Sequence, residues 1–139
     1  MNGPGNAKQQ AVVEHATNNN GTFPCTANYC AAWVTGIYQA AGVEAPTGNA
    51  IDMWENYKDT GSTSRDNIPV GAVVCGSGVG EMGAEYGHVG IYLGNGRIAN
   101  NIGSFQIANS IDEWVSWQTA TCHGYTGWIG WVAPNGLLN

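Results

Sequence analysis

HVGIYLGNGRIANN, residues 88–101, is the stretch that decides the fold, because it predicts a β-hairpin with a histidine at its start. Residues 88–93 and 97–101 are short runs of strand type, and Gly-Asn-Gly at 94–96 suits a tight turn between them. Alternation along the first run predicts a core face with Val89, Ile91 and Leu93. The opposite face carries His88, Gly90 and Tyr92, and the glycine is expected to leave room for a substrate.

The length of the turn decides which asparagine lies opposite Gly90. A three-residue loop at 94–96 pairs Gly90 with Asn100, whereas a two-residue turn at 95–96 pairs Gly90 with Asn101. The amide oxygen of either asparagine could orient His88 by accepting its second N–H. The strand pattern leaves both alternatives open.

A helix with one apolar face is predicted upstream, over residues 28–41. Its apolar positions recur at helical spacing and are Cys30, Trp33, Val34, Ile37 and Ala41. Asn28 is expected to cap the start of this helix and Gly42 to close its end. Cys30 then lies in the first turn, where free N–H groups and the positive end of the helix dipole favour a thiolate.

Cys30 and His88 together are the nucleophile and the base that thiol hydrolysis requires. Taken singly, each has a commoner role, since a free cysteine often packs a core and a histidine at a strand entrance usually faces solvent. The backbone N–H of Cys30 can contribute to an oxyanion hole whatever its neighbours are. The pair therefore predicts a cysteine hydrolase.

The rest of the chain predicts a helical half followed by an antiparallel sheet. Further helices are expected over residues 7–17, 50–58 and 111–117, and further strands over 70–75, 105–108 and 128–132. No internal repeat, linker or low-complexity segment interrupts the sequence. Residues 1–139 are therefore expected to form a single α+β domain.

The charge balance excludes several classes of partner. The net charge is −6 with only 4 Lys and Arg residues, which leaves no basic surface for nucleic acid or an anionic membrane. An uncharged or cationic substrate fits this balance better. The first ten residues lack the basic and apolar regions of a signal peptide, and no apolar run has the length of a membrane span.

The other cysteines are weaker candidates for a site. Cys25, Cys75 and Cys122 are interpreted as core residues or an incidental disulfide, because their spacing demands no disulfide framework. A zinc site that adds His123 to these three is a minor alternative. The tryptophans are expected mainly to fill the core.

Three segments resemble the NlpC-type cell-wall peptidases and occur in the order of that family. They are residues 29–34 (Tyr-Cys-Ala-Ala-Trp-Val), 68–74 (Ile-Pro-Val-Gly-Ala-Val-Val) and 87–96 (Gly-His-Val-Gly-Ile-Tyr-Leu-Gly-Asn-Gly). The resemblance implies a papain-like α+β fold, with the cysteine at a helix start packed on an antiparallel sheet that bears the histidine. Counting to the third polar residue of the family reaches Asn100, with Asn101 in reserve. Tyr29 and Ala31 depart from the family, which usually has Asp and Ser there.

The resemblance implies a monomeric thiol endopeptidase that cuts amide bonds in the stem peptides of bacterial peptidoglycan. Its catalytic residues would be Cys30, His88 and Asn100, with Tyr29 and Gly90 beside the substrate and no metal or cofactor. It would act at the bacterial cell wall, as a phage lysin or as part of a longer secreted protein. The alternatives are an amidase of the related CHAP group, which cuts between muramic acid and L-Ala, and a non-catalytic module that binds muropeptides.

Overall fold

A computed structural model describes residues 5–26 and 28–139 and has a mixed α+β architecture. The helices are α1 (Ala7–Asn18), α2 (Cys30–Ala40), α3 (Ala50–Tyr57), α4 (Gly80–Tyr86) and α5 (Ile111–Ser116). The strands are β1 (Val73–Gly76), β2 (His88–Gly94), β3 (Arg97–Asn101), β4 (Phe105–Ala108), β5 (Thr121–Cys122), β6 (Tyr125–Thr126) and β7 (Trp128–Val132). Short 3-10 helices cover Lys58–Thr60 and Pro134–Gly136.

Five strands form one antiparallel sheet in the order β4-β3-β2-β1-β7, and β5 pairs only with β6. The expected order, three helices followed by an antiparallel sheet, is confirmed. None of the helices in the described ranges is long and apolar enough to cross a membrane.

The central strand β2 is covered on both faces. The helices α1 and α2 pack against it, and Trp114 of α5 stacks on His88 from another side. His88 and Tyr92 are buried, with 4% and 5% of their surface exposed. The prediction of room for a substrate beside Gly90 is therefore wrong, because β3 fills the space at Gly90 and Trp114 of α5 packs on His88.

The start of α2 differs from the prediction, whereas its end agrees. Tyr29 is the N-terminal cap residue and makes no side-chain capping bond, while Asn28 lies outside the helix with φ +68°. At the other end Gly42 has φ +73°, and the N–H of Val43 donates to the carbonyl of Tyr38 at 3.0 Å. This is the glycine-dependent closure of a Schellman motif.

The hairpin between β2 and β3 combines a short turn with a β-bulge. Asn95 and Gly96 form the turn and have φ +54° and +80°, as a primed hairpin turn requires. The register shifts between Tyr92 and Gly94, so that β2 has one extra residue there. The extra residue compensates for the shorter turn, and Gly90 pairs with Asn100. The Asn100 register is thus confirmed, although the expected three-residue loop is not what produces it.

The glycine-rich part of the chain departs most from the predictions. The strand expected over residues 70–75 begins only at Val73, because Gly71 has φ +85° and the N–H of Ala72 turns back to Pro69. The helix α4 and the β5–β6 pair were not predicted. Residues 76–87 contain five glycines and show neither helical nor strand periodicity.

Candidate active site

Cys30 and His88 meet where two elements begin. Cys30 is the first residue of α2 and is partly exposed, and His88 is the first residue of β2 and is buried. The packing of α2 on β2 brings their side chains close enough for their charges to interact. The predicted nucleophile and base are therefore neighbours in the fold.

The surroundings of Cys30 favour its thiolate. Burial alone raises the pKa of the thiol, but the charge and the hydrogen bond of His88 oppose this effect. The backbone N–H groups of Val89 and Ala31 also bond to the sulfur, and the pKa of Cys30 is lowered overall. The first turn of a helix adds to this effect through its dipole.

The charge of His88 is favoured in the same way. Burial lowers the pKa of its imidazole, whereas the Cys30 thiolate and the hydrogen bonds to Cys30 and Asn100 raise it. The net direction is upward from the ordinary value of a histidine. A lowered cysteine pKa beside a raised histidine pKa is the direction that favours a thiolate–imidazolium pair.

Asn100 fixes the other side of the imidazole ring. Its Oδ1 lies 2.7 Å from His88 Nε2 and also accepts the indole N–H of Trp114 at 3.0 Å, while its Nδ2 donates to the carbonyl of Gln106 at 3.0 Å. An indole nitrogen can only donate, so the atom of Asn100 that faces it is the oxygen. The His88 Nε2 that contacts the same oxygen then carries a proton. Nδ1 is left to face Cys30.

Trp114 contributes packing as well as this hydrogen bond. Its ring is fully buried and stacks on the ring of His88, with centroids 5.8 Å apart and planes 30° apart. The expectation that this tryptophan fills the core is confirmed, but its hydrogen bond to Asn100 was not predicted. No sequence signal could have identified it, because the contact depends on where α5 crosses the sheet.

Asn101 serves a different purpose from Asn100. Its side chain is 2% exposed, and its Nδ2 donates to the carbonyl of Thr26 at 2.7 Å. Its Oδ1 accepts the N–H of Gly103 at 2.9 Å. Asn101 therefore ties the end of β3 to the segment that precedes α2, and Asn100 is the residue that orients His88.

A cleft of about 610 Å³ opens onto Cys30 and His88. Tyr29 lines it and is 56% exposed. Gly90, in contrast, is closely packed. A Cβ there would lie 2.8 Å from Ile98 Cγ2 and 3.0 Å from Asn100 Cβ. The space beside Gly90 is filled by β3, so this glycine makes room for Asn100 rather than for a substrate.

The remaining cysteines are free thiols whose pKa is raised, whereas the pKa of Cys30 is lowered. Cys75 and Cys122 are buried in the core and Cys25 is half-buried, and burial raises the pKa of all three. The interpretation as core residues holds for Cys75 and Cys122. Over residues 5–26 and 28–139, no three His, Cys, Asp or Glu side chains are grouped closely enough to hold a metal ion, which argues against the zinc alternative.

Comparison with known proteins adds no family. The sequence matches no protein-family model, and no curated protein is significantly similar to it. A functional assignment therefore depends on the site itself. Its main feature is a thiol beside an imidazole at an open cleft, with the imidazole hydrogen-bonded to an amide.

Proposed function

We propose that the protein is a cysteine hydrolase with a papain-like arrangement, in which Cys30 is the nucleophile, His88 the acid and base, and Asn100 the orienting residue. The observation that carries the proposal is that Cys30 and His88 line one cleft and interact electrostatically, with His88 hydrogen-bonded to Asn100. A thiol, an imidazole and an amide in this order support a nucleophile, a base and an orienting group.

The reaction follows from this geometry. The Cys30 thiolate attacks an amide carbonyl, and the carbonyl oxygen becomes an oxyanion. The Cys30 backbone N–H has no partner within the helix, because the first N–H groups of a helix never do, and it can stabilise this charge. His88 gives its proton to the leaving amine as the oxyanion collapses and the C–N bond breaks, which leaves a thioester on Cys30. His88 then takes a proton from water, whose oxygen attacks the thioester, and the Cys30 thiolate leaves as the acid is released.

Bacterial peptidoglycan is the proposed substrate, cut within its stem peptide. The support for this choice is the resemblance of residues 29–34, 68–74 and 87–96 to the NlpC-type peptidases. An amidase that cuts between muramic acid and L-Ala would use the same cysteine and histidine. The two activities differ only in which bond lies over Cys30.

Digestion of purified sacculi distinguishes these outcomes. An endopeptidase releases fragments with new amino termini inside the stem peptide, and an amidase frees the amino group of L-Ala, as mass spectrometry would show. Cys30→Ala should release nothing, whereas Cys25→Ala is the matched control and should be active. Sacculi that bind the wild-type protein without any new termini would contradict hydrolysis and support a muropeptide-binding module.

A further inference from the structure

No lysine or arginine lines the cleft in the part of the chain that the structure describes. The chain has 4 Lys and Arg residues, and none of them lines the cleft. They are Lys8, Lys58, Arg65 and Arg97. Lys58 and Arg65 are held in ion pairs with neighbouring carboxylates, at 2.9 Å and 2.8 Å. Arg97 lies at the turn end of β3, the opposite end from Asn101 and the cleft.

Acidic side chains are also missing from the cleft lining. In the described part of the chain, the cleft is bordered by no Asp or Glu, although the protein has 10 of these residues. His88 is the basic side chain in the described lining, and it lies beside Cys30, with which it is electrostatically coupled. Apart from this pair, the described lining offers no side-chain ion to a charged group of either sign.

Exposed apolar side chains are concentrated at the same place. Six large apolar side chains are exposed in the described ranges, and five of them line the cleft. Those five are Phe23, Tyr29, Val79, Met82 and Ile102. An apolar border around a nucleophile usually marks a ligand site rather than chance exposure.

We infer that the cleft selects an uncharged, apolar group next to the bond that is cut. Within the proposed function, on which this part depends, the preferred substrate is a stem peptide whose acidic groups are amidated. A free carboxylate would lose its hydration against Met82 and Val79 and gain no ion pair. A carboxamide or an alkyl side chain loses much less hydration free energy in the same place.

Two alkylating reagents test the selection without any substrate. Both are iodoacetamides, one with a hexyl tail and one with a tail of equal length that ends in a carboxylate. The rate of Cys30 modification, followed by peptide mapping, should be about ten-fold higher for the hexyl reagent. Cys25 provides the internal control, since its thiol should show a much smaller preference. Equal rates at Cys30 would overturn the inference.

A rim substitution sharpens the test. Met82 is 44% exposed, so replacing it should leave the core intact. Met82→Lys places a cation at the rim and should narrow the difference between the reagents to about two-fold. Met82→Gln is the neutral control and should preserve the difference. A lysine variant that discriminates as strongly as the glutamine variant would count against the inference.

A pair of stem peptides, one amidated and one with free carboxyl groups, separates this inference from the proposed function. We expect faster cleavage of the amidated peptide, by about ten-fold in kcat/KM. If both peptides are cut equally, the selection fails while the hydrolase proposal stands. If neither is cut while Cys30 still discriminates between the reagents, the choice of peptidoglycan fails and the selection stands.

Discussion

Trp114 combines two roles that can be separated by substitution. Its ring packs on His88, and its N–H determines which end of the Asn100 amide faces the histidine. An amide oxygen and nitrogen are similar in size, so the donors and acceptors around them decide the orientation. The protonation state of His88 Nε2 thus depends on a residue that does not touch the cleft.

Trp114→Phe should lower kcat by about ten-fold while changing KM little, because a lost hydrogen bond of about 1.4 kcal/mol corresponds to that factor. The phenyl ring keeps most of the packing but cannot donate to Asn100. Steady-state kinetics on isolated muropeptides measures the effect. Trp117→Phe, at the end of the same helix, is the control and should leave kcat near that of the wild type. An unchanged kcat in Trp114→Phe would show that the indole N–H is dispensable.

The rate of Cys30 alkylation should follow a bell-shaped pH profile. The thiolate–imidazolium pair exists above the lowered pKa of Cys30 and below the raised pKa of His88. Since the Asn100 hydrogen bond helps to raise the pKa of His88, Asn100→Ala should move the alkaline limb to lower pH. Turnover should fall by about 10²-fold in the same variant. An alkaline limb at the wild-type pH would separate Asn100 from the ionisation of His88.

Helices and strands could be predicted from the sequence where apolar residues recur with helical or strand spacing. The bounds of β3, β4 and β7 agree with the predicted runs, and α2 and the hairpin carry the predicted Cys30 and His88. The helix α4 has no such pattern and is held by close backbone packing, since a Cβ on Gly83 would lie 2.6 Å from the carbonyl carbon of Gly78. The apolar residues that α4 contributes to the cleft rim could therefore not be predicted from the sequence.

Gly83→Ala should destabilise the protein by about 1–3 kcal/mol, the usual cost of overpacking. The added methyl group has no space against Gly78, so α4 must move away and take Met82 from the cleft rim. The melting temperature and hydrogen exchange of the α4 amides report these effects. Glu81→Ala, at an exposed position of the same helix, should change neither. If Gly83→Ala gives the same melting temperature and hydrogen exchange as Glu81→Ala, the backbone contact with Gly78 does not hold α4.

At the scale of the whole molecule, the site belongs to both halves of the chain. The helical half supplies Cys30, the sheet supplies His88 and Asn100, and a later helix supplies Trp114. The Asp, Glu, Lys and Arg side chains that give the net charge of −6 lie outside the cleft. Long-range repulsion from an anionic wall and local binding in the cleft should therefore respond separately to salt.

Added salt should speed the lysis of sacculi rich in free carboxylates but leave the cleavage of a soluble, amidated stem peptide nearly constant. Raising NaCl from about 0.01 M to about 0.1 M shortens the Debye length from about 30 Å to about 10 Å, which screens the repulsion between the protein and the wall. Turbidity and peptide release measure the two rates. Lysis that slows steadily with salt would instead indicate attraction between the wall and a local positive surface.

The bulge in the hairpin gives the spacing between His88 and Asn100 a tolerance of one residue. The two residues are 12 positions apart, and the extra residue in β2 is what makes this number correct for a short turn. Removing Leu93 would abolish the bulge and leave Gly94 opposite Arg97 and Gly90 opposite Asn100, whereas removing Ala99 would bring Asn101 opposite Gly90. Descendants of this sequence should therefore tolerate the loss of Leu93 more readily than a gain or loss of one residue within β3, and they should keep Asn or Gly at positions 95 and 96, where φ is positive.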